Sequence, residues 1–284
     1  MKAVELYDKI KDDFIKDTIK DMDWALRMPG LDKYLFPLFK QNGGIGLMCD
    51  FTDEINKVYT TVFLSEKVLS KILNENVSNV MLFSHHPTNW DLKEHNGNYP
   101  VEEKYIAKLK ERNISLYILH HPLDNFGEYS TCATLANQLG ITVEKPAFLF
   151  YGVLCGVIGR TDCKTVDELH ERYSQVVGHK TSLYQYGSKD IYGEKVAVCP
   201  GGGNFIGIIN EMLDNSITTL ITGVTIVNEW SREVHAFEKK NGINLLGGTH
   251  YSSEKYAMME ICNYFNKLGL PSEFIEDEPD LFDL

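Results

Sequence analysis

Three short apolar runs, each leading to histidine, limit what this chain can fold into more than any other feature. Residues 80–84, Val-Met-Leu-Phe-Ser, run into His85-His86-Pro87, and residues 114–119, Ile-Ser-Leu-Tyr-Ile-Leu, run into His120-His121-Pro122-Leu123-Asp124. Residues 243–247, Ile-Asn-Leu-Leu-Gly, lead through Gly248-Thr249 to His250-Tyr251-Ser252-Ser253-Glu254. A short β-prone run bounded by a breaker reads as a buried strand, and an α/β sheet presents its chemistry beyond the carboxyl ends of its strands. The second and third runs also carry a carboxylate four residues after a histidine, Asp124 and Glu254. Imidazole nitrogens and carboxylate oxygens together suit zinc, iron, manganese or nickel, and a shared carboxylate can bridge two such ions. The pattern therefore predicts a metal centre supplied from three strand ends.

The rest of the chain supports an α/β reading. Strands are expected at 58–63, 79–84 and 115–119, with helices at 65–73 and 101–112 between them. Alternation of this kind implies a largely parallel sheet with helices on its faces, so both early ligand sets lie on one rim. Further on, helices are expected at 131–139, 166–177, 205–213 and 230–240, and strands at 152–160, 195–199, 218–222 and 243–247. Ser252 or Ser253 caps a last helix running to 267, with Glu254 in its first turn. Residues 3–28 have apolar positions near helical spacing and read as one or two packing helices. Gly43-Gly44-Ile45-Gly46 lacks the spacing of a dinucleotide or P-loop fingerprint and reads as a turn into a strand. Gly201-Gly202-Gly203, between a strand and a helix, either presents backbone N–H groups to an anion or only permits a tight turn. The acidic stretch 276–284 reads as a solvated tail.

At 284 residues the chain is long enough for two domains, with no low-complexity or proline-rich linker to mark the division, here placed between 1–128 and 129–284. A formal charge of −12 argues against nucleic acid as a partner, because phosphate neutralisation needs lysine and arginine. The six cysteines show no C-x-x-C spacing and read as reduced thiols of a cytoplasmic protein. Neither a signal peptide nor a membrane-spanning run is visible, so a soluble protein with no membrane partner is expected. His95, His170, His179 and His235 have no comparable context and read as surface or core residues; His235 is the one worth testing.

The ordered set Ser84-His85-His86-Pro87, His120 to Asp124, the Gly201–Gly203 turn, Thr222-Gly223 and Gly248-Thr249-His250-Tyr251-Ser252-Ser253-Glu254 resembles the Nif-three-like family, the dinuclear-metal hexameric proteins called GTP cyclohydrolase 1 type 2 homologues. The resemblance runs from about residue 46 to about residue 268. It implies two interlocked α/β lobes, a dinuclear metal site in the cleft between them, and a homohexamer. Carried over position by position, it implies that His85 and His86 each take one of two divalent transition-metal ions, Asp124 joins the ion of His86, His250 joins that of His85, and Glu254 bridges. His120 matches an additional site histidine, either ligand or neighbour of a ligand. Two departures stand out: His121-Pro122 replaces the usual Thr-Asn, and Val224 stands where the family usually has an acid. The ligand set points to metal-assisted hydrolysis of a small phosphorylated or nucleotide-like substrate, with His120 or His121 moving protons and the glycine turn seating a phosphate. The alternatives are a metal storage or delivery protein and a ring-shaped regulatory protein with structural ions.

Overall fold

Strand and helix alternate as their hydrophobic periods demand, and in the computed structural model, which describes residues 1–284, they form two units. The first unit comprises Met1–Leu123 and Met258–Glu278, the second Asp124–Ala257 and Pro279–Leu284.

In the first unit, helix α1 (Ala3–Phe14) buries Leu6, Tyr7 and Ile10 on one face. A short helix α2 (Pro37–Gln41) leads to β1 (Gly46–Cys49), followed by β2 (Val58–Thr61), α3 (Glu66–Asn74) and β3 (Val80–Ser84). A small hairpin, β4 (Asn89–Asp91) and β5 (Gly97–Tyr99), surrounds the single turn α4 (Leu92–His95), and α5 (Glu103–Glu111) precedes β6 (Ile114–Ile118). Ser65 caps α3 by accepting the Val68 N–H, as its hydroxyl is suited to do. The sheet order is β1-β6-β3-β2-β13, where β13 (Ser272–Phe274) is the last strand in the chain. All pairings are parallel except β1 with β6. Every residue of β3 and β6 is buried, as expected for a parallel sheet covered on both faces. Phe83 pairs with Tyr117 and Ser84 with Ile118, so β3 and β6 end level and deliver their histidines to the same rim.

The N-terminal stretch departs from expectation. Only Ala3–Phe14 and a 3-10 turn at Trp24–Arg27 are helical. Between them Asp23 takes a left-handed backbone, φ 44°, and Trp24 donates its N–H to the Gly43 carbonyl, so tertiary bonds replace helical ones. Trp24 is fully buried in the core with Met28, Phe39, Leu82 and Leu116.

The second unit opens with the single turn α6 (His121–Asp124), whose last residue belongs to it, then α7 (Thr131–Gln138), β7 (Thr142–Phe150), β8 (Val153–Arg160) and α8 (Val166–Val177). β9 (Ser182–Tyr184), β10 (Lys195–Val198), α9 (Ile206–Asp214), β11 (Thr219–Thr222), α10 (Arg232–Asn241) and β12 (Asn244–Gly247) complete it, and α11 (His250–Lys267) begins in it. Its sheet order is β7-β8-β10-β11-β12-β9, with β10, β11 and β12 parallel and the other pairings antiparallel. The capping box of Thr165 and Glu168 fixes the start of α8. β7 escapes sequence reading because most of its residues are not buried and it contains Glu144, Lys145 and Pro146.

Two further expectations are corrected here. Helix α11 starts at His250, so Ser252 and Ser253 lie inside its first turn and Glu254 in its second. Thr249, with φ 69°, precedes it and accepts the Ser252 N–H on its hydroxyl. The acidic tail is not simply solvated: Asp283 is fully buried. Its carbonyl accepts the N–H groups of Thr225 and Ile226, and its carboxylate accepts the His250 N–H at 2.7 Å. Unpaired N–H groups at a helix start attract an anion, and this chain supplies one from its own end. All six cysteines are unbridged. No helix is long and apolar enough to cross a membrane.

Candidate metal centre

The ladder of the first sheet continues past its strands. His85 and His86 donate their backbone N–H groups to Thr61 and Val62, and the Ser84 hydroxyl hydrogen-bonds the His86 carbonyl at 2.6 Å. These bonds fix where the two rings start. The His85 Nδ1 lies 3.0 Å from the Leu119 carbonyl. A carbonyl only accepts, so Nδ1 carries the proton and the neutral ring presents its lone pair at Nε2. His86 stacks on Phe63 at 4.5 Å between centroids. Ring centroids of His85, His86 and His120 lie 4.4 to 5.1 Å apart, and one nitrogen from each falls within 4.8 Å of the others.

Asp21 completes this set, and nothing in its local sequence announces it. Its carboxylate accepts His120 Nδ1–H at 2.8 Å, the Trp24 indole N–H at 2.8 Å and the Met22 N–H at 2.8 Å. The His121 N–H also reaches it at 3.3 Å, while His121 Nδ1 donates to the Lys20 carbonyl at 2.7 Å. Burial alone would push the Asp21 carboxyl up; the neighbouring His120 and His121 imidazoles and the Met22 N–H outweigh that and hold it well below the usual carboxylate range. His85, His120 and His121 thus share one arrangement: each Nδ1 proton goes to a carbonyl or carboxylate, which leaves Nε2 as the nitrogen able to take an ion or a proton. Metal-binding histidines are commonly held in this way.

In the second unit the start of α11 sets the geometry. Four residues is about one helical turn, so His250 and Glu254 share a face, and His250 Nε2 lies 3.2 Å from Glu254 Oε1. A Cβ on Gly201 would overlap that same Glu254 oxygen and stand 3.0 Å from His250 Nε2, so any side chain here would push Glu254 out of this arrangement. Gly201 also adopts φ 63°. The Ser253 hydroxyl accepts the Gly201 N–H at 2.9 Å and donates to the His250 carbonyl at 2.9 Å, joining turn and helix. Gly223 and Val224 donate to the Gly201 carbonyl. Asp124 accepts the Thr131 hydroxyl at 2.8 Å, and an oxygen of Asp124 and one of Glu254 lie within 4.8 Å of each other. Two carboxylates so close repel unless a cation lies between them.

Three of the glycine turn's N–H groups bond within this unit. Gly201 donates to Ser253, Gly203 to the Pro200 carbonyl and Asn204 to the Gly202 carbonyl, and a carboxylate adjoins Gly201. These bonds, and the contact with Glu254, bring the turn close to the candidate metal-binding side chains. The donor chemistry of both sets fits transition-metal ions: imidazole nitrogens with their far side fixed, and closely spaced carboxylates. Sequence reasoning named His85, His86, His120, His121, Asp124, His250, Glu254 and the glycines, and missed Asp21, Thr131 and Asp283.

A family model described as Duf34/NIF3 (NGG1p interacting factor 3) matches residues 32–280. A protein of Archaeoglobus fulgidus named GTP cyclohydrolase 1 type 2 homolog is 26% identical over 81% of this chain and 88% of its own. One of the same name from Pyrococcus horikoshii is 26% identical over 88% of this chain and 96% of its own. Among solved structures, the protein ybgI, described as of unknown function, matches with a TM-score of 0.75 at 22% identity, covering 99% of this chain and all (100%) of that one. Reduced HcgD from Methanocaldococcus jannaschii matches at 0.70 with 21% identity, covering 98% of each chain. These structural likenesses concern the fold.

Proposed function

Because the chain belongs to the Duf34/NIF3 family, we propose that its two ligand sets serve one dinuclear centre and that the protein is a metal-dependent hydrolase of a small molecule. The observation that carries this reading is the fixed Nδ1 of His85, His120 and His121, which suits the first ring to coordination and the other two to proton transfer beside it. In this reading His85 and His86 would each hold one divalent ion, Asp124 and His250 would complete the two sets, and Glu254 would be shared by both. Bound ions of this kind lower the pKa of a coordinated water toward neutrality and stabilise negative charge developing on a substrate oxygen.

The chain's own residues supply the proton handling. A proton taken at His120 Nε2 makes an imidazolium whose Nδ1–H already points at an ionised Asp21, which stabilises the charge. His121 Nδ1 donates to the Lys20 carbonyl and stands 3.6 Å from Asp21, against 2.8 Å for His120. His120 is therefore the better proton carrier. The relatives' name suggests a nucleotide substrate; water activation is what these side chains argue for. A soluble cytoplasmic homohexamer belongs to the same proposal.

Elemental analysis of untagged protein, purified without chelator beside Glu254→Ala, is the test. About two transition-metal ions per chain, falling sharply in the variant, is the expected result. Protein that stays empty after anaerobic reconstitution with iron, manganese and zinc refutes the centre. Metal without turnover on phosphoester and nucleotide panels would instead favour storage, delivery or a structural role.

A further inference from the structure

Outside the metal centre, the first unit holds a cavity of about 460 Å³ between α1, α2 and β1 that the proposed hydrolysis does not use. Its two ends differ in chemistry. Ala3 at the start of α1 donates its N–H to the Asp53 carbonyl, so this end of the helix lies at Asp53. Ile15, just past the other end of α1, lies beside Gly46, whose Cβ would be 3.8 Å from the Ile15 Cδ1. The helix therefore runs along β1, with Asp50 and Asp53 at one end of the cavity and Ile15, Phe39 and Ile45 at the other. Asp8 lines it between them.

The acids at this end are unpaired. Asp8, Asp50 and Asp53 form no ion pair, and Lys2 and Lys11, which also reach the cavity wall, form none with any acid. Tyr7, only 9% exposed, places its hydroxyl beside Ser115 and Asp50 without a hydrogen bond of normal geometry. Tyr7 stacks with Tyr117 at 6.0 Å, giving the cavity an aromatic wall. Burial, and then the adjacent charge of Asp53, raise the Asp50 carboxyl above its ordinary range, a cost that a bound cation would remove. Three acids against two lysines, Lys2 and Lys11, leave the wall net negative, which disfavours an anion, and a bare metal ion would leave the apolar half unused.

We propose that this cavity binds an amphipathic organic cation, an amine whose ammonium group sits against Tyr7, Asp50 and Asp53 and whose apolar body lies against Ile15, Phe39 and Ile45. Carboxylates supply the Coulombic attraction, the ring faces attract the cation, and the volume falls in the range of small-molecule sites.

The test is calorimetric titration of the full chain with three compounds that share one body: 4-phenylbutylamine, 4-phenylbutanol and 4-phenylbutyrate. The amine is expected to bind about tenfold more tightly than the alcohol, with the carboxylate weakest. Asp50→Asn with Asp53→Asn should erase the preference for the amine while leaving the alcohol unchanged. Leu38→Trp, at a half-exposed wall position, should block both. Equal binding of amine and alcohol to the natural sequence overturns the proposal without any variant, as does the absence of heat for all three at millimolar concentration. A change in oligomer mass on Leu38→Trp, read by light scattering, would also overturn it by showing that a second copy occupies the cavity.

Discussion

The histidines of the first unit and the helix start of the second solve different problems. Strand ends hold the first set, and its Nδ1 protons go to Leu119, Asp21 and Lys20, so the set is limited by orientation. In the second set one imidazole stands with two carboxylates, packed by Gly201 and anchored by Asp283, so it is limited by charge. Imidazoles whose Nδ1 protons are already bonded can wait for a metal at little cost, whereas adjacent carboxylates gain most from its arrival.

Gly201→Ala should break the comparison on the charged side with the largest effect. The new Cβ displaces Glu254 and occupies a left-handed backbone position, which should cost about 3 kcal/mol and abolish metal uptake; denaturant unfolding and elemental analysis measure the two losses.

Glu238 shows what a buried acid of the second unit becomes without such partners. It is fully buried, its oxygens make no hydrogen bond, and its nearest basic neighbour, His235 Nδ1, is 3.5 Å away. His235 Nε2 donates to the Thr225 carbonyl, and the Tyr186 hydroxyl meets Nδ1 at 3.0 Å. Burial pushes the Glu238 carboxyl up from 4.5 to about 8. The folded state then keeps a proton that the unfolded state releases, so this residue's contribution to stability is present below pH 4.5 and lost as the pH rises to about 8. Glu238→Gln should match the natural sequence at pH 4 and exceed it at pH 9, the gap opening above pH 4.5 and levelling off above about pH 8, read from unfolding curves.

Asp21→Asn tests the side limited by orientation. Removing the charge facing His120 should leave metal stoichiometry intact but weaken chelator-resistant binding about tenfold, because the ring packed against His85 and His86 loses its charged anchor. Asp283→Asn should have the smallest effect: the amide still accepts the His250 N–H through its oxygen, and the loss of the negative charge at the helix start should cost about 1 kcal/mol. A larger loss of metal from Asp283→Asn than from Asp21→Asn would reverse the assignment of which set is limited by what.

The sequence by itself determined the strands that end in His85 and His120, the helix face shared by His250 and Glu254, and the helices whose apolar spacing is local. Each of these follows from periods of two or 3.6 residues that a short window contains. β7 and the start of α11 were less legible. Partial burial hides the period of the first, and Thr249 rather than either serine begins the second. Only the tertiary structure brought Asp21 to His120 across 99 positions and Asp283 to His250 across 33. A side chain that orients a ligand is chosen by distance in space, and a carboxylate in an acid-rich stretch looks the same in sequence whether it faces water or closes a site.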